Sequence, residues 1–256
     1  MAIQFKLIKR RPFSKLAKPC AKTYKTLYDL TARGVNYVPG PNNRGYEYVR
    51  GELLGPVARE LLHRSRQGKP VHFLDAGAGD GQGVVDAESL ASNIRGHGLA
   101  MHDSKPALGI SPHKWTKSRF EENVFQDSDS AEGVFDVIQS RYGLQHAANP
   151  AIALENLLNS LKVGGKLFNF HDSDRKTIQI TDTGMVEALE KQGFVLEKSR
   201  VPASLKKIYD RIFVNSPRLY VIKRVGKGKA DLSAFYGSER INKVPLGTDI
   251  PNRKRM

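Results

Sequence analysis

In the stretch FLDAGAGDGQG, residues 73–83, an apolar run ends in Asp75 and breaks into four glycines within seven residues, Gly77, Gly79, Gly81 and Gly83. Glycine reaches backbone angles closed to other residues and lets a ligand lie against the main chain, so such a turn after a strand suits a nucleotide. The dinucleotide fingerprint G-x-G-x-x-G requires glycine at position 82, where Gln82 stands, which leaves G-x-G-x-G. An ordinary tight strand-to-helix turn carries the same signal. Groups able to move a proton follow downstream: His171 and Asp172 after the KLFNF run, and Tyr142 and His146 in SRYGLQH. Histidine titrates near neutrality and suits general-base work, although the same residues serve equally as hydrogen-bonded loop pairs or packing groups.

The elements that must position these residues alternate. Residues 46–66 place apolar groups at helical spacing and tolerate Gly55 and Pro56. Short apolar runs and helical patterns then take turns: VHFLDA and VVDAESLASNI, ALGI and HKWTKSRFEEN, VFQD, FDVIQS and PAIALENLLNSL, KLFNF. This alternation predicts βαβ units and a parallel, doubly wound α/β sheet. Residues 183–192 read as a helix stopped by Gly193, with FVLEKSR and RLYVIKR as a closing pair of strands. From Gly226 onward there is little to bury, which predicts an irregular basic tail.

Taken in order, these segments resemble the class I S-adenosylmethionine-dependent methyltransferases. FLDAGAGDG resembles their first motif, VFQD the acidic third, FDVIQSRYGLQHAANP the fourth and LKVGGKLF the entry to the fifth strand, over residues 71–170. The resemblance implies a mostly parallel seven-stranded sheet, S-adenosyl-L-methionine as cofactor and methyl transfer as the activity; it leaves the acceptor open. It further implies that the backbone at Gly77, Ala78 and Gly79 lies along the methionine part of the cofactor, with Asp75 fixing the loop or the cofactor's amino group. Asp127 would accept from the adenine amine, and Gln139 and Ser140 would stand where cofactor and acceptor meet. His171, Asp172, Tyr142 and His146 are then the catalytic candidates.

The family ends its second strand with an acid that grips the ribose, and two positions compete for that place. ALGIS offers Ser111 in the expected strand-then-helix context and is preferred; GLAMHD offers Asp103, but Pro106, Gly109 and Pro112 make a poor helix after it. Cys20 is the sole cysteine and excludes a disulfide framework, a cysteine zinc cluster and three-cysteine radical chemistry. It also precedes the first motif, where no cytosine-C5 nucleophile belongs. SRYG stands where exocyclic-amine methyltransferases carry N/D-P-P-Y/F. No metal site is expected.

Charge divides the 256 residues into a basic N-terminal extension with a helix (1–66), a catalytic domain (67–225) and a basic C-terminal tail (226–256). Residues 1–28 hold eight Lys and Arg against no acids, and residues 198–256 hold fifteen against four, so 15 − 8 − 11 leaves −4 for the middle. Basic ends of this kind are solvated tails or footprints for a polyanion. They favour RNA as acceptor and partner, whereas SRYGLQHAANP looks most like small-molecule methyltransferases. A silent methyltransferase-fold module that binds nucleic acid or a protein partner is the third reading. No apolar run is long enough to span a membrane, and a cytoplasmic setting is expected, with organelle targeting by the basic N-terminus as the minor alternative. Nothing in the sequence bears on oligomeric state.

Overall fold

The computed structural model describes residues 3–9, 49–50, 53–79, 81–100, 111, 114–130, 132–141, 143–144, 147, 149–172, 183–199 and 217–236. Strand β1 (Lys6–Lys9) is followed by the short pair β2 (Val49–Arg50) and β3 (Leu53–Leu54), then by helix α1 (Gly55–Ser65) and strand β4 (Val71–Ala76). Helix α2 (Gln82–Glu88) leads to β5 (Ile94–Ala100), β6 (Trp115–Lys117), a 3-10 turn (Phe120–Glu122), β7 (Asn123–Gln126) and β8 (Phe135–Arg141). Helix α3 (Pro150–Asn159), β9 (Leu161–Asp172), α4 (Thr183–Lys191), β10 (Phe194–Ser199), β11 (Pro217–Arg224) and a last 3-10 turn (Ser233–Phe235) complete the order.

Seven strands form one sheet in the order β10-β11-β9-β8-β4-β5-β6. The β4–β5, β5–β6, β4–β8 and β8–β9 pairs are parallel, and β11 runs antiparallel to both β9 and β10. This is the doubly wound, mostly parallel α/β sheet expected. From β4 the chain winds outward through β5 and β6, then returns to the other side of β4 as β8. The switch point therefore lies between β4 and β8, and a crevice opens at their carboxyl ends. One face of the sheet buries Val71, Phe73, Val137, Phe168 and Phe170 against Val57 and Leu61 of α1; the other buries Leu74, Ile138, Leu167 and Ile222 against α3 and α4. Every residue of α3 is buried, and its start is fixed by Pro150 and by Asn149, whose side chain accepts the Ile152 N–H at 3.2 Å.

Several sequence expectations shift. The helix expected over 46–66 begins only at Gly55, after the β2–β3 ladder, because Pro56 lacks a backbone N–H and is tolerated in a first helical turn but not farther in. The second strand is IRGHGLA, β5, and not ALGI, whose residues 107–110 lie outside the described ones. Its hydrophobic alternation is hidden by Gly96 and Gly98, where a Cβ would strike Val84 and the Trp115 ring respectively. HKWTKSRFEEN, expected as a helix, supplies strand β6 and the 3-10 turn instead.

Segments near both ends pack onto the rest of the fold. Residues 3–9 are built into the fold: β1 pairs antiparallel with β7 outside the main sheet, and Phe5 packs edge-on against His97 and Phe125 with centroids 4.9 and 5.0 Å away. At the other end, Ala230 and Leu232 are buried. Asn159 Nδ2 donates to the Ala230 carbonyl and its Oδ1 accepts the Ala230 N–H, while Glu155 accepts the Leu232 N–H and the Tyr236 hydroxyl. Two polar side chains of α3, Asn159 and Glu155, thus tie residues 230–236 to that helix, and the tail expected to be irregular from Gly226 is ordered that far. Among the described residues, no helix is long and apolar enough to cross a membrane.

Candidate functional site

At the crevice, β4 ends in a turn held from below. The N–H groups of Gly77 and Ala78 both donate to the Leu99 carbonyl of β5, at 2.8 and 3.1 Å, and the Gly81 N–H closes onto the Ala78 carbonyl at 2.7 Å. Gly77, Gly79 and Gly81 all have positive φ, of 91°, 59° and 87°, which an L side chain rarely adopts. The neighbouring β8 ends in a second turn that meets the first. A Cβ on Gly77 would stand 2.9 Å from the Cα of Gly143, and one on Gly143 would stand 2.6 Å from the Ala76 carbonyl oxygen. Main chain touches main chain here, so both positions exclude side chains for reasons of space.

The polar residues beneath these turns are committed to holding them. Asp75 is buried; its Oδ1 accepts from Gln139 Nε2 at 3.3 Å, and its Oδ2 occupies the space that a Cβ on Gly83 would need. Ser140 Oγ accepts the Leu144 N–H at 3.0 Å and so ties the second turn to its own strand, an interaction worth about 1 kcal/mol. Buried Glu121 accepts the Asn149 N–H at 3.0 Å, anchoring the far end of the same connection where α3 begins.

Three residues at this end of the sheet escaped the sequence reading. The Phe120 ring lies beneath both glycine turns, within 3.5 Å of the place a Gly77 Cβ would take. The Trp115 ring covers Gly98, and a Cβ at Gly98 would also reach the Ala78 side chain at 3.4 Å, so the indole stands beside the turn; its Nε1 is buried without a partner. Asn169 pairs with Ser140 across β8–β9 and is buried. No local motif marks these positions; the paired glycines at 96 and 98 were the available hint of a large ring packed on β5.

Asp127 requires a correction. It follows β7, which pairs with β1 and not with the main sheet, and the Gln126–Gly133 bridge places it just before β8 begins. It therefore lies at the amino end of the parallel strands, a full strand length from the glycine turn. Its exposed carboxylate accepts the N–H groups of Ser130 and Asp129, both at 3.0 Å, and these bonds hold its pKa below the usual carboxylate value. The third strand of the sheet is β6, whose carboxyl end leads into Ser118 and Arg119.

Ser111 also stands elsewhere than expected: its carbonyl accepts the Lys114 N–H at 2.9 Å in the turn before β6, not at the end of the second strand. Asp103 comes three residues after Ala100, the last residue of β5, and lies outside the described residues. So do Tyr142 and His146. His171 and Asp172 are the last two residues of β9, paired with Arg218 and Pro217 of β11, which puts their backbone at the crevice end of the sheet.

A family model described as Methyltransferase domain matches residues 47–198. Among solved structures, 1,6-didemethyltoxoflavin-N1-methyltransferase of Burkholderia thailandensis, with bound 1,6-didemethyltoxoflavin and S-adenosylhomocysteine, gives a TM-score of 0.50 at 14% identity over 87% of this chain and 96% of that one. A TehB-like SAM-dependent methyltransferase from Corynebacterium glutamicum gives 0.42 at 17% identity, over 80% and 97% of the two chains. At such identities the likeness concerns the fold. None of the curated proteins compared with the chain matches it.

Proposed function

The chain belongs to the Methyltransferase domain family, and from that premise we propose that it is an S-adenosylmethionine-dependent methyltransferase acting on RNA. The observation that carries the first part is the meeting of two bare backbone turns, at Gly77 and Gly143, over the switch point of the sheet. A bulky nucleoside with an amino-acid tail fits such a cradle, because Gly77, Ala78 and Gly79 present main chain where side chains would intrude. Bound there, S-adenosylmethionine would supply a methyl group activated on a sulfonium sulfur for in-line transfer to an acceptor lone pair. In-line displacement depends foremost on alignment. Accordingly the chain's own groups chiefly hold positions: Asp75 and Gln139 brace the first turn, Ser140 and Glu121 the second. His171 and Asp172, whose backbone ends β9 at the same edge, are our candidates to take the acceptor's proton.

RNA as acceptor rests on charge and on where the chain leaves the fold. Lys9 pairs with Asn123, directly after the turn carrying Phe120, whereas Lys6 pairs with Gln126 toward the opposite end. The chain beyond Lys9, which carries six further Lys and Arg before its first acid, therefore starts from the crevice side. Clustered positive charge attracts a phosphate backbone in a salt-dependent way. The test is transfer of labelled methyl groups into RNA, protein and small-molecule fractions in parallel, with calorimetry of S-adenosylhomocysteine binding to wild type and Gly79→Arg. Labelling confined to small molecules would replace RNA by a metabolite. Binding without transfer to any fraction would favour the silent module, and no binding at millimolar concentration would remove the methyltransferase reading.

A further inference from the structure

On the α3 side of the sheet, at its carboxyl end, Ser140 of β8, Asn169 of β9 and Tyr220 of β11 stand side by side in register. Asn169 is 3% exposed, the depth of Asp75 at 5% and Ala78 at 8%. Its side-chain Oδ1 is buried and takes no hydrogen bond; neither neighbour donates to it. A buried carbonyl oxygen without a donor destabilises a fold, and such groups are rare unless something outside the chain completes them. Asn156 has an unpartnered Oδ1 too, but its Nδ2 is tied to the Phe120 carbonyl at 2.8 Å, which accounts for an amide at that position. Asn169 has no such structural duty, and it lies two residues before His171, beside the strand that ends in the second glycine turn.

We propose that Asn169 recognises the methyl acceptor, its Oδ1 accepting a hydrogen bond from an N–H or O–H that the acceptor brings into the crevice. This rests on the methyltransferase reading and narrows the acceptor to a group bearing a donor, an amine, amide or hydroxyl, next to or at the atom methylated. Stability is thereby given up at Asn169 for recognition, as is common at functional sites.

Asn169→Leu, nearly isosteric and without the acceptor, separates this from a structural role. A recognition residue predicts that the variant melts at or above the wild-type temperature, because an apolar group replaces an unpaired carbonyl, and that S-adenosylhomocysteine binds within about twofold of wild type by calorimetry. Label transfer into the fraction that the wild type methylates should fall at least tenfold, through KM more than kcat. Asn169→Ala, which also lacks the acceptor, should show the same loss of transfer. A fall of roughly 3 °C or more in the melting temperature of Asn169→Leu, a change of the size expected for a lost structural interaction, would overturn the proposal, as would wild-type transfer by either variant. Wild-type protein that binds S-adenosylhomocysteine but labels no fraction would refute the methyltransferase reading and this assignment together; a loss confined to the variants speaks for Asn169 alone.

Discussion

Replacing Gly77 by alanine tests whether the two glycine turns hold each other. Two effects add. At φ 91° a Cβ is strained by about 1–2 kcal/mol, partly offset by about 0.4–1 kcal/mol because alanine restricts the unfolded chain. The new Cβ would also lie 2.9 Å from the Gly143 Cα, closer than real Cβ contacts come, and the obstacle is backbone that cannot swing aside. Forcing the turns apart should cost about 1–3 kcal/mol, the usual range for overpacking. Gly68 provides the control: its φ is 76° and a Cβ there would meet nothing within 4 Å, so Gly68→Ala carries the strain without the collision. At about 2–4 °C per kcal/mol for a chain near this size, Gly68→Ala should lower the melting temperature by roughly 2–4 °C and Gly77→Ala by roughly 5–12 °C. Calorimetry should show S-adenosylhomocysteine affinity unchanged in the first variant and reduced at least tenfold in the second. Equal melting shifts together with unchanged affinity in both would refute the idea that contact between the turns builds the site.

Further expectations follow from the same geometry. Trp115 is the single tryptophan and stands beside Ala78, so its fluorescence should change in a saturable way on titration with S-adenosylhomocysteine; a flat titration alongside a calorimetric signal would mean that the cofactor does not reach this side of the turn. Because β5 is the second strand, Asp103→Ala should weaken S-adenosylhomocysteine binding about tenfold, the worth of one hydrogen bond to a charged group, and Ser111→Ala by less than twofold, the reverse result restoring Ser111. Burial, followed by the charge of Lys162, holds the His72 pKa below its ordinary 6.5. The folded protein therefore favours the neutral ring, so stability is present above pH about 6.5 and declines below it as the unfolded chain takes up the proton first; His72→Gln should flatten the melting temperature between pH 7 and 5 relative to wild type. Removing residues 1–9 should lower the melting temperature by stripping Phe5 from His97 and Phe125, whereas removing residues 237–256 should leave it within about 1 °C, as checked by calorimetric scans of the two truncations.

What the sequence alone determined was the parallel core and its first turn. Apolar runs such as VHFLDA and FDVIQS, long enough for strands and alternating with the helical pattern of PAIALENLLNSL, admit few arrangements, and the glycines after Asp75 mark a turn because the backbone conformation they need is local. The switch point between β4 and β8 does not follow from that alternation; it was set by the order in which the strands pair. Tertiary structure decided what depends on contacts between segments distant in the chain. IRGHGLA became the second strand because Val84 and Trp115 fill the faces that Gly96 and Gly98 leave bare, and no local pattern announces a strand whose inward positions are empty. VFQ looked like the strand that carries the adenine acid, yet it pairs with residues 6–9, more than a hundred positions earlier, which moves Asp127 to the opposite end of the sheet. The Gly77–Gly143 contact, the ring of Phe120 beneath it and the unpaired oxygen of Asn169 likewise arise between strands that meet only after folding: a side chain's own sequence states what it can bond to, but packing determines whether that bond is made.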